Sequence, residues 1–283
     1  MFSQKEVCDL INCTKVLKKF PSSGQKQVFL VDYEKQTVIA KFVKSEDVRV
    51  QREIEIVTEN KIMNVPFILE IKQIETNNGE SYICIIEQYI PGETLTAMLE
   101  RGKISIQLGI KLLRTLLNIA VQLEKISVVH RDIKPDNIIY GLDDEYYLLD
   151  FGIARQLDKI SLTATEATFG PHTPGYGAPE LFQYSKKDID IRTDLFSIGV
   201  VLFQAITGQH PFITDSEADI QEIWYRTKTV IPKDFLIDGD THRQLISFIQ
   251  TLMQKHPTRR PPTAKKALEW FNSVLLTLDI GGE

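Results

Sequence analysis

The first ninety residues carry two pairs of short apolar-rich runs, each pair divided by polar turn residues. "QVFLVD" and "TVIAKF" are rich in β-branched and aromatic residues and flank "YEKQ", which predicts a β-hairpin. "FILEIKQIE" and "SYICIIEQYI" flank "TNNGE", and Asn78-Gly79 is a strong hairpin signal. Between the pairs, Val50, Ile54 and Val57 in "SEDVRVQREIEIVTEN" recur at helical spacing and predict one helix among the strands.

Beyond Gly92 the period becomes helical. "SIQLGIKLLRTLLNIAVQLEKI" has a wide apolar face from Leu108 to Leu123. "SEADIQEIWYRT", "THRQLISFIQTLMQ" and "TAKKALEWFNSVLLTL" predict further helices, each with Ser or Thr placed to cap free N–H groups. "LFSIGVVLFQAI", Leu195 to Ile206, is apolar on every side and predicts a helix buried inside a large domain. The pattern describes an α+β fold: a small β-rich part, a connection at "IPGE" (Ile90 to Glu93), and a larger helical part.

Composition changes this picture little. The chain has 283 residues, 43% hydrophobic and 25% charged, enough to bury a core without disulfides. A net charge of -5 and the lack of a dense Lys/Arg tract argue against nucleic acid as a partner. Cys8, Cys13 and Cys84 form no CxxC pair and are odd in number, so they are expected as reduced thiols. "MFSQKEVCDL" lacks the apolar stretch of a signal peptide, and Leu195–Ile206 is too short to span a bilayer. A cytoplasmic protein with no membrane insertion is the expectation.

The chemistry concentrates in "VVHRDIKPDNIIYGLDDEYYLLDFGIAR". "HRDIKPDN" (His130 to Asn137) has the H-R-D-x-x-x-x-N form of a phosphoryl-transfer loop, and "DFG" follows at Asp150-Phe151-Gly152. "GYGAPE" contains Ala178-Pro179-Glu180, and "VIAK" places Lys41 on the second strand of the first hairpin. Four motifs in this order, on these element types, resemble the eukaryotic-type (Hanks-type) Ser/Thr protein kinase family from about Val16 to Leu275. The compact length and "TPGYGAPE" resemble its stand-alone bacterial members.

The resemblance implies a single kinase domain over residues 1–283, with a β-rich lobe at 1–90 and a helical lobe at 91–283. It implies transfer of the γ-phosphate of ATP to Ser or Thr hydroxyls of protein substrates, with Mg2+ as cofactor. The alternative is a pseudokinase, a nucleotide-binding or scaffold module that keeps the fold without the transfer. Asp132 is expected to accept the proton of the attacking hydroxyl, with Lys134 beside it. Asn137 and Asp150 are expected to hold Mg2+, a hard ion that favours oxygen ligands. Lys41 is expected to grip the nucleotide phosphates and to be held by Glu53, with Glu55 the competing candidate. Val28, Ala40 and Ile139 are expected around the adenine ring, with Gln88 and Ile90 on the connection beside it.

By the same resemblance, Lys134 and Thr173 imply Ser/Thr rather than tyrosine substrates. Asp194 is expected to anchor the catalytic loop, and Glu180 to pair with Arg260. His130 is expected to pack on Phe151, and Asp136 either attracts a basic substrate residue or is simply solvated.

Two departures from the family pattern stand out. The glycine-rich loop falls on Pro21-Ser22-Ser23-Gly24-Gln25-Lys26, where none of the three usual glycine positions is glycine. Ser23 and Gly24 are expected to cover the triphosphate, and Lys26 either adds positive charge there or points to water. The position behind the adenine site falls on Glu87, or on Ile86 if the register shifts by one, where an apolar residue is usual. Regulation is expected from a partner or from phosphorylation among Ser161, Thr163, Thr165 and Thr168, with Thr168 preferred, Thr165 second, and Arg131 as the phosphate's partner.

Overall fold

A computed structural model describes residues 2–21, 26–44, 54, 56, 58–76, 78–151, 155–156, 174–182, 189–214 and 219–279. The chain divides into two compact units, residues 1–91 with 149–152, and residues 92–148 with 153–283.

The first unit is built on an antiparallel sheet of β1 (Lys15–Lys19), β2 (Gln27–Tyr33), β3 (Gln36–Lys44), β4 (Ile68–Glu75) and β5 (Ser81–Gln88), in spatial order β1-β2-β3-β5-β4. The two predicted hairpins are present as β2–β3 and β4–β5. Glu34 and Lys35 join the first at φ of 49° and 65°, a two-residue turn of the primed kind made without glycine. Left-handed backbone costs such residues roughly 1–2 kcal/mol each. The ladder from Gln27 opposite Phe42 to Tyr33 opposite Gln36 offsets that strain. Ile54 and Ile56 are helical, within the single helix expected among the strands.

Strand alternation gives the sheet two distinct faces. One carries Phe29, Val31, Val38, Ala40, Phe42, Cys84 and Ile86, packed with Val7 and Ile11 of a helix α1 (Gln4–Ile11). The apolar pattern alone did not predict α1, yet "SQKE" marks its start. The Ser3 side chain accepts from Glu6 N–H and the Glu6 carboxylate accepts from Ser3 N–H, a capping box. The other face carries Val43, Ile83 and Ile85, with Ile54 and Ile68 packed on them.

The second unit contains α2 (Leu95–Glu100), α3 (Ile106–Lys125), α4 (Ile191–Thr207), α5 (Ile220–Thr229), α6 (Gln244–Leu252) and α7 (Ala264–Leu275). It also holds β6 (Gly92–Thr94), β7 (Val128–Val129), β8 (Ile138–Gly141), β9 (Tyr146–Leu148) and β10 (Arg155–Gln156). Strands β6, β8 and β9 form one small sheet, and β10 pairs with β7. These short strands were not expected from the helical period. An antiparallel sheet followed by a mainly helical region is the α+β class that the pattern predicts.

The all-apolar stretch is α4, which packs against α3, α6 and α7, with every residue buried except Arg192 and Gln204. Gly199 permits that closeness, since a Cβ there would lie 2.8 Å from Leu252 Cβ. By length and composition α3 could cross a membrane, but half of that stretch is buried in this unit. Thr263 caps α7 as expected, accepting from Lys266 N–H, and Ser105 caps α3 in the same way, accepting from Leu108 N–H; Ser216, expected at the start of α5, lies outside the described residues. At α6 the structure corrects the expected hydroxyl cap. The Asp240 carboxylate accepts from Leu245 N–H at 3.1 Å and Ile246 N–H at 2.9 Å. A carboxylate at a helix N-terminus also meets the positive end of the helix dipole.

Candidate active site

In the second unit the residues between β7 and β8 form a loop fixed from below by Asp194. This residue lies in the first turn of α4 and is fully buried. Its Oδ2 accepts from His130 N–H at 2.8 Å and its Oδ1 from Arg131 N–H at 2.9 Å. Burial pushes the Asp194 carboxyl up, while His130, Arg131 and the two amides pull the other way. The clamp holds Arg131 at a φ of 72°, a conformation that non-glycine residues rarely adopt unless their surroundings enforce it. Thus Asp194 sets the backbone on which the next residue is displayed, the role expected of it.

That next residue is Asp132. Its Oδ2 lies 2.9 Å from Lys134 Nζ and accepts from Asn137 Nδ2 at 3.0 Å. Asn137 Nδ2 also donates to the Asp132 carbonyl at 2.9 Å. A short 3-10 turn, Pro135–Asn137, brings Asn137 back onto Asp132, and proline suits the start of that turn because it needs no N–H there. The three residues expected to work together are therefore in direct contact. With its amide nitrogen committed to Asp132, Asn137 has Oδ1, a hard oxygen, as its donor to a cation. The neighbouring Asp136 is exposed.

The segment at 174–182 is tied to α4. Ser197 Oγ donates to the Tyr176 carbonyl at 2.9 Å, and Tyr176 Oη donates to Gln204 Oε1 at 2.7 Å. Glu180 and Arg260, each 3% exposed, form the expected pair with two parallel hydrogen bonds of 2.6 and 2.9 Å. Thr193 Oγ1 donates to Glu180 as well, and Arg260 donates to the carbonyls of Gln254, Arg192 and Lys255.

In the first unit Lys41 sits on β3 opposite Val28 of β2 and Ile85 of β5. Its Nζ is 2.7 Å from Glu87 Oε2, and the two residues are only 6% and 7% exposed. Glu87 lies opposite Ile39, so it meets Lys41 diagonally on one face of the sheet. That face also carries Val43, Ile83 and Ile85. Ile86 lies on the other face, in the α1 core, which decides the register in favour of Glu87.

The same alternation corrects one expectation and locates a second residue. Ala40 pairs with Phe29 and faces the α1 core, so it does not share a face with Val28 and Lys41; Ile39 does. Gln88 pairs with Val38, away from Lys41, and its N–H donates to the Phe67 carbonyl at 3.0 Å. Ile90 is buried past the strand end, and Ile139 is half-buried on β8.

Asp150 belongs to the first unit, where its carboxylate lies 3.0 Å from Lys26 Nζ. Its φ of 63° is left-handed, which aspartate tolerates better than most residues. A half-exposed carboxylate that already takes an ammonium suits a hard cation. Lys26, weighed as a phosphate contact or a solvated charge, thus pairs with Asp150. Glu53, Glu55, Ser23, Gly24, Thr173, Ser161, Thr163, Thr165 and Thr168 lie outside the described residues.

Sequence reasoning missed the Lys41–Glu87 pair. The available signal was a lone acidic residue inside the apolar run "YICIIEQYI", two residues past Ile85.

A family model described as "Protein kinase domain" matches residues 24–271. Over 208 residues the chain is 30% identical to a probable serine/threonine-protein kinase of Clostridium perfringens, covering 72% of this chain and 29% of that protein. It is 30% identical over 230 residues to the serine/threonine-protein kinase cds1 of Schizosaccharomyces pombe, covering 79% and 48%. It is 32% identical over 214 residues to a probable serine/threonine-protein kinase, PknB, of Bifidobacterium longum, covering 75% and 30%. The chain spans less than half the length of each of these relatives.

Proposed function

The chain belongs to the protein kinase family, and we propose that it transfers the γ-phosphate of ATP to Ser and Thr hydroxyls of protein substrates. The carrying observation is the Asp132 carboxylate, held by Lys134 and Asn137 on a loop clamped by Asp194. Phosphoryl transfer asks a protein mainly for positioning and charge neutralisation. In the proposed step the substrate oxygen bonds to the γ-phosphorus and the bond from that phosphorus to the β-γ bridging oxygen breaks. The hydroxyl proton goes to Asp132, and ADP leaves. Lys134 steadies the carboxylate and adds positive charge beside it. Lys41 binds the non-transferred phosphates. Asn137 Oδ1 and the Asp150 carboxylate are the oxygen donors for Mg2+, which when bound neutralises phosphate oxygens.

The Ser/Thr assignment is supported by the names of the relatives and by Lys134 lying on Asp132. No observation favours the pseudokinase alternative. The test is incubation with γ-labelled ATP, Mg2+ and a generic basic protein acceptor, beside an Asp132→Ala variant. Label on phosphoserine and phosphothreonine, absent from the variant, is expected. Phosphotyrosine alone, or equal label in the variant, overturns the reading.

A further inference from the structure

We propose that Glu87 is a positioning residue for Lys41, holding the phosphate-binding ammonium from the neighbouring strand rather than only from the helix on that face. The inference rests on the kinase reading for the role of Lys41, and on the sheet geometry for the rest. Lys41 and Glu87 lie on the adjacent strands β3 and β5, where both residues are buried. Burying a carboxylate is costly unless it is paired and hydrogen-bonded, so Glu87 needs a cation within reach. The pleat supplies one. Ile39 and Lys41 on β3 share a face with Ile85 and Glu87 on β5, so the glutamate reaches diagonally to Nζ at 2.7 Å.

An ammonium has three N–H donors, so pairing with Glu87 is compatible with a phosphate contact. Strands joined by a continuous ladder move little relative to one another. The ladder here runs from Val38 opposite Gln88 to Lys44 opposite Tyr82. A carboxylate mounted on that ladder sets the position of Nζ whatever else approaches the face. Glu87 also puts a negative charge behind the nucleotide site. Lys41 neutralises it, so each residue makes the other tolerable where it stands.

The experiment uses the full chain with Glu87→Gln and Glu87→Asp. Equilibrium binding of a fluorescent ATP analogue and thermal melting are measured beside the KM for ATP and kcat. In Glu87→Gln the amide keeps the shape and loses the charge, and nucleotide affinity is expected to fall about 10-fold. The KM for the protein acceptor is expected to stay put, since only the nucleotide end is disturbed. Glu87→Asp keeps the charge but retracts it by one carbon. It is expected to lose roughly 3-fold in nucleotide affinity with a melt close to wild type, and it decides the matter if Glu87→Gln fails to fold. In a Lys41→Met background, Glu87→Gln is expected to weaken nucleotide binding no further, because its effect runs through Lys41. Wild-type nucleotide affinity in a folded Glu87 variant overturns the proposal. If the wild-type protein transfers no phosphate above Asp132→Ala, the kinase reading fails while the binding measurements still decide the role of Glu87.

Discussion

Two buried ion pairs, Glu180–Arg260 and Lys41–Glu87, differ in the cation each employs. Arg260 spreads a planar guanidinium over both oxygens of Glu180 and over the carbonyls of Gln254, Arg192 and Lys255. Each N–H is aimed by the fork, so the group is locked and ties residues far apart in the chain to one point. Lys41 instead brings a compact, rotatable ammonium to a carboxylate on the next strand. Such a cation can serve two anions at once. Burial alone therefore does not separate a structural pair from a working one; the geometry of the cation does.

Arg260→Met should break the first pair most severely. It strands a fully desolvated Glu180, at a cost of about 3–5 kcal/mol, read by urea unfolding. Replacing Glu180 and Arg260 together with leucine and methionine should cost less than either single change, because no buried charge is left alone. Equal or greater loss in the double variant would break the comparison.

Lys41→Met tests the other side. Transfer should fall by roughly 10²–10³, the usual effect of removing one preorganised donor. Its loss of stability should be of the same order as that of Arg260→Met, because Glu87 is left buried without its cation. Adding Glu87→Gln should recover stability in the Lys41→Met background without restoring transfer; a double variant as unstable as Lys41→Met alone would break the comparison.

His210 is half-buried, with its Nε2 shielded from solvent, and it carries no charge in the folded chain at neutral pH. Burial lowers its pKa to about 3, and its Nδ1 accepts from the N–H groups of Phe212 and Ile213. Between the ordinary histidine value and about 3, the unfolded chain holds a proton that the folded chain does not. Stability therefore falls as pH drops through that window, by up to about 1.4 kcal/mol per pH unit once below the ordinary value, or about 1.6 kcal/mol from pH 6.5 to 5. Urea unfolding at pH 7, 6 and 5 reads the slope. His210→Asn, whose oxygen can take the same two amides, should flatten it; an unchanged slope would assign the acid sensitivity elsewhere.

The smallest effect is expected at Lys26, whose pair with Asp150 is partly exposed and so contributes about 1 kcal/mol or less. Lys26→Met should remove one competing cation from the Asp150 carboxylate. The Mg2+ concentration that raises the melting temperature in the presence of ADP should then fall by up to about 5-fold. A higher Mg2+ requirement would mean that Lys26 assists the nucleotide and does not compete for Asp150.

Much of the candidate site was legible because its parts are local in sequence. Asp132, Lys134 and Asn137 fall within one tight loop, so their order carries their contact. The hairpins were legible from alternation and turn residues, and α4 from its uninterrupted apolar run. Other features were not. The amides at the start of α6 are capped by Asp240, before the threonine that the pattern pointed to. Ala40 carries the same apolar character on either face of a strand, so composition could not say which face it takes.

By itself, then, the sequence determined the α+β class, the succession of strands and helices, and the residue types of a phosphoryl-transfer site. Local periodicity and motif spacing encode all three. Only the tertiary structure decided that Glu87 faces Lys41, that Ile86 and Ala40 turn to the α1 core, and that Lys26 reaches Asp150. The reason is register. A one-residue slip between two strands exchanges every side chain between faces. The pairing of β3 with β5 is fixed by packing on both sides of the sheet, across a span of chain that no local pattern reads.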